Sequence, residues 1–282
     1  MIFKANKAHK APKANPPRRR AVYQPPVLIK PQDYDNLRRA GQINGQILAA
    51  LRAAVRPGMQ TIELDHLARQ LLQEAGAEAP FLNYSVHPNG QHPYPAVINV
   101  SVNEELVHGI PGKRILKEGD VVTLDCGTKY NGMIVDSAIT VGVGAISEKH
   151  QRLIHATHEA LMVGIQMASP GRRVGDISFA IETILRKYQV NIPPNFGGHG
   201  VGYSLHAAPH VANEGKPNQG ELLQVGMALA IEPMGMYGRN ATRTLADHWT
   251  IVTTDRSVCA HSEHTILITE TGTEILTPVP NA

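Results

Sequence analysis

Cysteine is scarce, with only Cys126 and Cys259 in 282 residues. Two thiols make neither a disulfide framework nor a four-cysteine zinc site, so a reducing compartment, the cytoplasm, is expected. Long apolar runs are lacking as well. Nothing approaches the ~18 uninterrupted apolar residues of a membrane span, and the start lacks the apolar core and small-residue cleavage site of a secretory signal. Acid is missing from residues 1–32, which carry eight basic side chains from Lys4 to Lys30 and no Asp or Glu. The remainder has 19 basic against 24 acidic residues, so a basic tail is joined to a mildly acidic body. The tail is also rich in proline and poor in apolar residues, and is expected to be disordered, since it buries too little surface to offset its ordering entropy. Three roles fit it: a tether to an anionic surface, an organellar transit peptide, or an inert leader. A folded domain is expected over 33–282. What is abundant is histidine, 14 residues beside 24 acids, a composition in which metal ligands are plausible.

From Asp33 onward the chain carries a diverged duplication. Leu37, Ala40, Ile43, Ile47, Leu48, Leu51 and Val55 have helical spacing and stop at Pro57-Gly58. A second such run, Leu153, Ala156, Ala160, Leu161, Ile165 and Ala168, stops at Pro170-Gly171, 113 residues later. Another amphipathic helix follows each Pro-Gly. Strand patterns repeat too. Leu116–Asp125 matches Leu223–Glu232, and Asp136–Val141 matches Glu263–Ile268, each pair with acids at equivalent places. The expected fold class is α+β, with internally duplicated halves related by a pseudo-two-fold axis around a shared antiparallel sheet.

Those acids point to a metal centre. Asn131-Gly132 is a two-residue hairpin turn, and its register puts Asp125 opposite Ala138 and on the same face as Asp136. Such diagonal neighbours sit about 7–8 Å apart at the backbone. Alone they could be two solvated hairpin acids. Glu232 and Glu263, flanked by apolar strands in the second copy, change the balance: four carboxylates facing one another in a core are untenable without cations. Their charge matches two divalent ions, and His199, among the glycines of Gly197-Gly198-His199-Gly200-Val201-Gly202, supplies a fifth ligand. Mostly oxygen with one imidazole suits Mn, Fe, Co or Zn. Cys126 falls on the opposite face of its strand from Asp125 and is left out of the site.

These segments resemble the type I methionine aminopeptidases from about Asp33 to Thr277. The likeness rests on Asn103-Glu-Glu-Leu-Val-His108-Gly-Ile-Pro, on Asp125 with Asp136, on Gly198-His199-Gly-Val-Gly202 with His206, on Ile231-Glu232-Pro-Met and on Ser262-Glu263-His-Thr. The resemblance implies the pita-bread fold and two divalent ions. Asp136 and Glu263 would bridge them, Asp125 would complete one, and His199 with Glu232 the other. It implies removal of the initiator methionine from nascent polypeptide N-termini by metal-activated water when the second residue is small. Glu232 would shuttle the proton, His206 would stabilise the oxyanion, and His108 would contact the scissile nitrogen. Tyr94 and Trp249 would wall the methionine pocket with Tyr84, which is followed by an insertion over Ser85–Pro93. Leu205 stands where many relatives have Phe, and Asn99 where many have Cys. A cytoplasmic monomer without membrane attachment is expected.

Two rivals remain open. An X-Pro peptidase of the prolidase kind has a similar metal set but carries a whole N-terminal domain, for which residues 1–32 are too short. A metal-free binding protein would have kept the fold and lost the ligands. Type II methionine aminopeptidases are set aside because the 26 residues from His206 to Glu232 leave no room for their helical insertion.

Overall fold

A computed structural model describes residues 25–86 and 89–280. In the first half, α1 (Tyr34–Ala54) and α2 (Thr61–Glu74) precede β1 (Asn99–Val102), β2 (Glu105–Val107), β3 (Val121–Tyr130) and β4 (Met133–Gly142). In the second, α3 (Glu148–Met167) and α4 (Val174–Lys187) precede β5 (Gly197–Gly200), β6 (Ala207–Ala212), β7 (Ala228–Ile231), β8 (Met234–Met236), β9 (Thr242–Thr244), β10 (Ile251–Thr253), β11 (Cys259–His261), β12 (His264–Thr269) and β13 (Gly272–Ile275). The helices form where the apolar spacing put them. Leu37, Ile43, Ile47, Leu48 and Leu51 of α1 are all buried, each worth about 1.5–3 kcal/mol against exposure.

The duplication extends to the turns. Gly58 and Gly171 both have φ +85°, a left-handed conformation that lets the chain leave α1 and α3. At the start of α2 the Gln60 N–H donates to Glu63 Oε1 (2.7 Å), and at the start of α4 the Arg173 N–H donates to Asp176 Oδ2 (2.8 Å). Each half has its own apolar core, one under α1 and α2 and the other under α3 and α4.

The strands pair antiparallel, in the orders β1-β3-β4, β2-β10-β9, β11-β8 and β13-β12-β7-β5-β6. Asn131 (φ 46°) and Gly132 (φ +82°) make the expected turn, and Asp125 lies opposite Ala138. The halves are sewn together where β4 runs beside residues 261–265. Ala138 and Glu263 exchange backbone hydrogen bonds (3.3 and 2.9 Å), Thr140 Oγ1 donates to the His261 carbonyl (2.6 Å), and Thr265 Oγ1 donates to the Asp136 carbonyl (2.7 Å).

The packed chain begins a few residues ahead of the expected boundary at 33. Leu28 bridges to Met227, the Ile29 N–H donates to the Gly226 carbonyl (2.8 Å), and Ile29 is buried. The cause is a short apolar segment, Val27-Leu28-Ile29, that composition averaged over the whole tail conceals. Most of the tail lies outside the described residues. No helix among the described residues is long and apolar enough to cross a membrane.

Candidate metal centre and substrate pocket

The seam between the halves carries the site. Asp125 on β3 and Asp136 on β4 project from one face, as the hairpin register requires. Glu263 sits opposite Ala138 across the seam, and Glu232 follows β7. His199 comes from β5, which squeezes between β6 and β7. A Cβ on Gly198 would lie 2.1 Å from the Ala230 carbonyl oxygen, and one on Gly200 2.3 Å from that of Ala208. Only glycine lets the backbone bring this imidazole in so closely.

Asp125, Asp136, His199 and Glu263 are buried, and the Glu232 side chain is 11% exposed. Burial pushes Asp125 up to about 6, and burial with repulsion from the neighbouring acids holds Asp136, Glu232 and Glu263 well above the usual carboxylate range. Asp125 Oδ1 and Asp136 Oδ1 have no hydrogen-bond partner. Orphaned oxygens on clustered buried acids fit divalent cations, whose charge removes the repulsion and whose coordination fills the lone pairs. Ligand atoms of Asp136, His199 and Glu263 lie within 4.8 Å of one another, as do those of Asp125, His261 and Glu263.

The histidines are poised as neutral rings. Burial lowers His199 and His261 to about 3 and His108 to about 4. His199 Nδ1 is 3.0 Å from the Gly200 carbonyl, which can only accept, so the proton is on Nδ1 and the Nε2 lone pair faces Glu232, 3.7 Å away. His206 stacks obliquely on His199 with ring centroids 4.4 Å apart, and its Nδ1 is 2.8 Å from the Tyr84 hydroxyl. Burial raises the Tyr84 pKa, so the phenol keeps its proton.

A cavity of about 430 Å³ opens beside these groups. Tyr94 and Trp249 meet edge to face, with centroids 5.2 Å apart, and Leu205 and Phe81 complete an apolar wall. The Tyr94 hydroxyl is occupied by the Ile98 and Gly109 carbonyls (both 3.1 Å), so its ring is what lines the cavity. Trp249 Nε1 donates to the His92 carbonyl (2.8 Å), which anchors the end of the 85–93 excursion at the rim. His108 touches Trp249 edge-on, at a centroid distance of 5.9 Å.

Every residue expected in the site therefore converges on one cavity: Asp125, Asp136, His199, Glu232 and Glu263 at its floor, His108 and His206 beside them, Tyr94 and Trp249 as walls. Cys126 faces the helix-side core instead. Two participants were not expected. Asn99 Nδ2 donates to Asp125 Oδ2 (2.6 Å), so this side chain serves the floor rather than the pocket wall. His261 reaches the acid cluster, its Nε2 3.6 Å from both Glu232 Oε2 and Glu263 Oε2. The signal for it was simple period-two spacing: two residues before Glu263 on an extended chain is the same face.

The chain is similar over most of its length to known metallopeptidases. The sequence model of metallopeptidase family M24 matches residues 35–270. The chain is 46% identical over 253 residues to methionine aminopeptidase 1 of Bacillus subtilis, covering 90% of this chain and 99% of that protein. The crystal structure of methionine aminopeptidase from Thermotoga maritima superposes with a TM-score of 0.85 at 38% identity, covering 89% of this chain and 99% of that one. Prolidase from Pyrococcus furiosus, at 21% identity, shares the fold, with a TM-score of 0.73 over 90% of this chain and 66% of its own.

Proposed function

Because this chain belongs to metallopeptidase family M24 and, within it, to the methionine aminopeptidases, we propose that it removes the initiator methionine from nascent chains whose second residue is small, using two divalent ions. The observation that carries this proposal is the set of four buried carboxylates and His199 with unpartnered oxygens at the floor of an apolar cavity. Asp136 and Glu263 would be shared between the ions, with Asp125 completing one site and His199 and Glu232 the other. Co, Mn, Fe and Zn all suit these donors. When bound, such ions supply Lewis acidity and bring water's pKa toward neutrality.

The protein's own groups supply the rest. Donation from the Tyr84 hydroxyl to His206 Nδ1, 2.8 Å away, would place the ring proton on Nε2 and leave an N–H donor for a developing oxyanion. Glu232 would take and return a proton at its carboxylate oxygen. His108, neutral near pH 7, would contact the scissile nitrogen. Tyr94, Trp249 and Leu205 would take the methionine side chain, whose flexible thioether packs well against aromatic faces.

The enzyme would work as a cytoplasmic monomer on N-termini emerging from the ribosome. Residues 1–32, without acids on an otherwise acidic chain, would hold it near ribosomal RNA. Such a tether releases counterions, so ribosome co-sedimentation should fall with salt at a log–log slope of roughly −0.7 to −0.9 per phosphate neutralised. Equal co-sedimentation of a chain lacking residues 1–24 would rule it out. The activity itself is tested with Met-X-Ser tripeptides in which X is varied, beside Gly-Pro-Ala. Release of methionine when X is Gly, Ala or Ser and its decline with bulky X are expected. Preferential cleavage of Gly-Pro-Ala would instead favour the X-Pro reading.

A further inference from the structure

His261 has no role in the chemistry above, yet it is 1% exposed and neither ring nitrogen has a hydrogen-bond partner. A buried polar atom left unsatisfied is costly, and two on one ring at the floor of the cavity need an explanation. Its position is fixed by backbone. The His261 N–H donates to Thr140 Oγ1 (2.9 Å), and that hydroxyl donates to the His261 carbonyl (2.6 Å), which pins the residue to the seam. Nε2 is thereby held 3.6 Å from one oxygen each of Glu232 and Glu263, beyond hydrogen-bonding distance to either. The three-residue clusters have a parallel composition: Asp136, His199 and Glu263 in one, Asp125, His261 and Glu263 in the other. Each has one imidazole, and Glu263 belongs to both.

Resting on the two-ion proposal, we infer that His261 is a ligand of the ion held by Asp125, so that each ion receives one imidazole. A nitrogen donor at that position completes an otherwise all-oxygen site. It shifts the preference there from the hard ions Mg and Mn toward Zn, Co and Fe. It also fills the lone pair on Nε2 that the protein leaves without a partner.

The test uses the full-length protein, stripped of metal and titrated with zinc while heat and bound metal are followed. The wild type should bind two equivalents. His261→Ala should keep one equivalent at wild-type affinity and bind the second more than about a hundredfold more weakly, beyond the roughly ten- to hundredfold that loss of an outer-shell partner costs. His261→Gln separates ligation from hydrogen bonding. Its amide can donate to Glu232 or Glu263, so restored second-site affinity in H261Q would overturn the proposal, and so would two unchanged equivalents in H261A. X-ray absorption of the fully zinc-loaded wild type gives an answer that no variant's folding can obscure. One imidazole per zinc on average is expected, and one per two zincs would mean that only His199 ligates. A wild type that binds fewer than two equivalents would instead fail the two-ion reading itself, a separate outcome.

Discussion

Asp136 and Glu263 sit on opposite sides of the seam, and each half alone presents an incomplete set of ligands. Asp136→Asn or Glu263→Gln should therefore abolish bound metal and peptide hydrolysis together, because a neutral amide cannot balance two dications. Near-normal turnover in either variant, with metal analysis alongside, would dissociate the acids from the chemistry. His206 and His108 should behave differently. His206→Ala removes a transition-state donor, so kcat should fall on the order of 10²-fold or more, while metal content by elemental analysis stays at the wild-type level. His108→Ala should follow the same pattern, and a metal-free His206→Ala or His108→Ala protein would make that histidine a ligand. At this scale the sequence was informative where residue type and spacing coincide. The hairpin register alone placed Asp125 opposite Ala138. It was mute on the partner of Asn99, which lies 26 positions away on a neighbouring strand, and on His261 it offered only the period-two spacing from Glu263, which gains meaning once the seam is formed.

The elements were legible because each half states its pattern twice. Helical spacing, a Pro-Gly stop and a second amphipathic run recur, and the structure returns four helices with the same glycine conformation at both stops. The short strands β8 to β11 were not legible, since three-residue segments carry too few side chains for a period to emerge. Neither was the root of the tail. Ile29 is 2% exposed and packs against Gly202, where an added Cβ would lie 2.4 Å from its Cδ1. Nearby, Tyr203 Oη accepts from the Lys30 N–H (3.1 Å) and donates to Asp33 Oδ2 (2.6 Å). This strap lies against the segment that leads from His199 to His206. Ile29→Ala should cost about 2–4 kcal/mol in urea unfolding, and starting the chain at Gln32 should destabilise it at least as much. Unchanged unfolding midpoints would mean that the strap contributes only contact.

For the whole molecule, four carboxyls raised by burial and crowding make metal-free stability depend on pH in a definite direction. From about pH 7.5, a full unit above its ordinary pKa, a histidine is neutral whether folded or unfolded, so the lowered histidines no longer contribute a slope. Asp136, Glu232 and Glu263, held well above the usual range, keep their protons to higher pH in the folded state than in the unfolded chain. With more protons bound when folded, stability falls as pH rises. Above about pH 7.5 the Tm of metal-free protein should therefore drop as pH rises, whereas protein saturated with metal should resist the drop because the ions replace those protons. Parallel curves for the two forms would contradict the cluster's proposed occupancy.

The coupling of metal to chemistry is tested most directly by titrating metal-free full-length protein with a divalent ion while free methionine released from Met-Ala-Ser is measured. No release without the ion is expected, with activity rising to a plateau as the carboxylate cluster fills. N-acetyl-Met-Ala-Ser, lacking a free α-amine, should remain uncut throughout. Methionine release at full rate from the stripped protein would contradict the account.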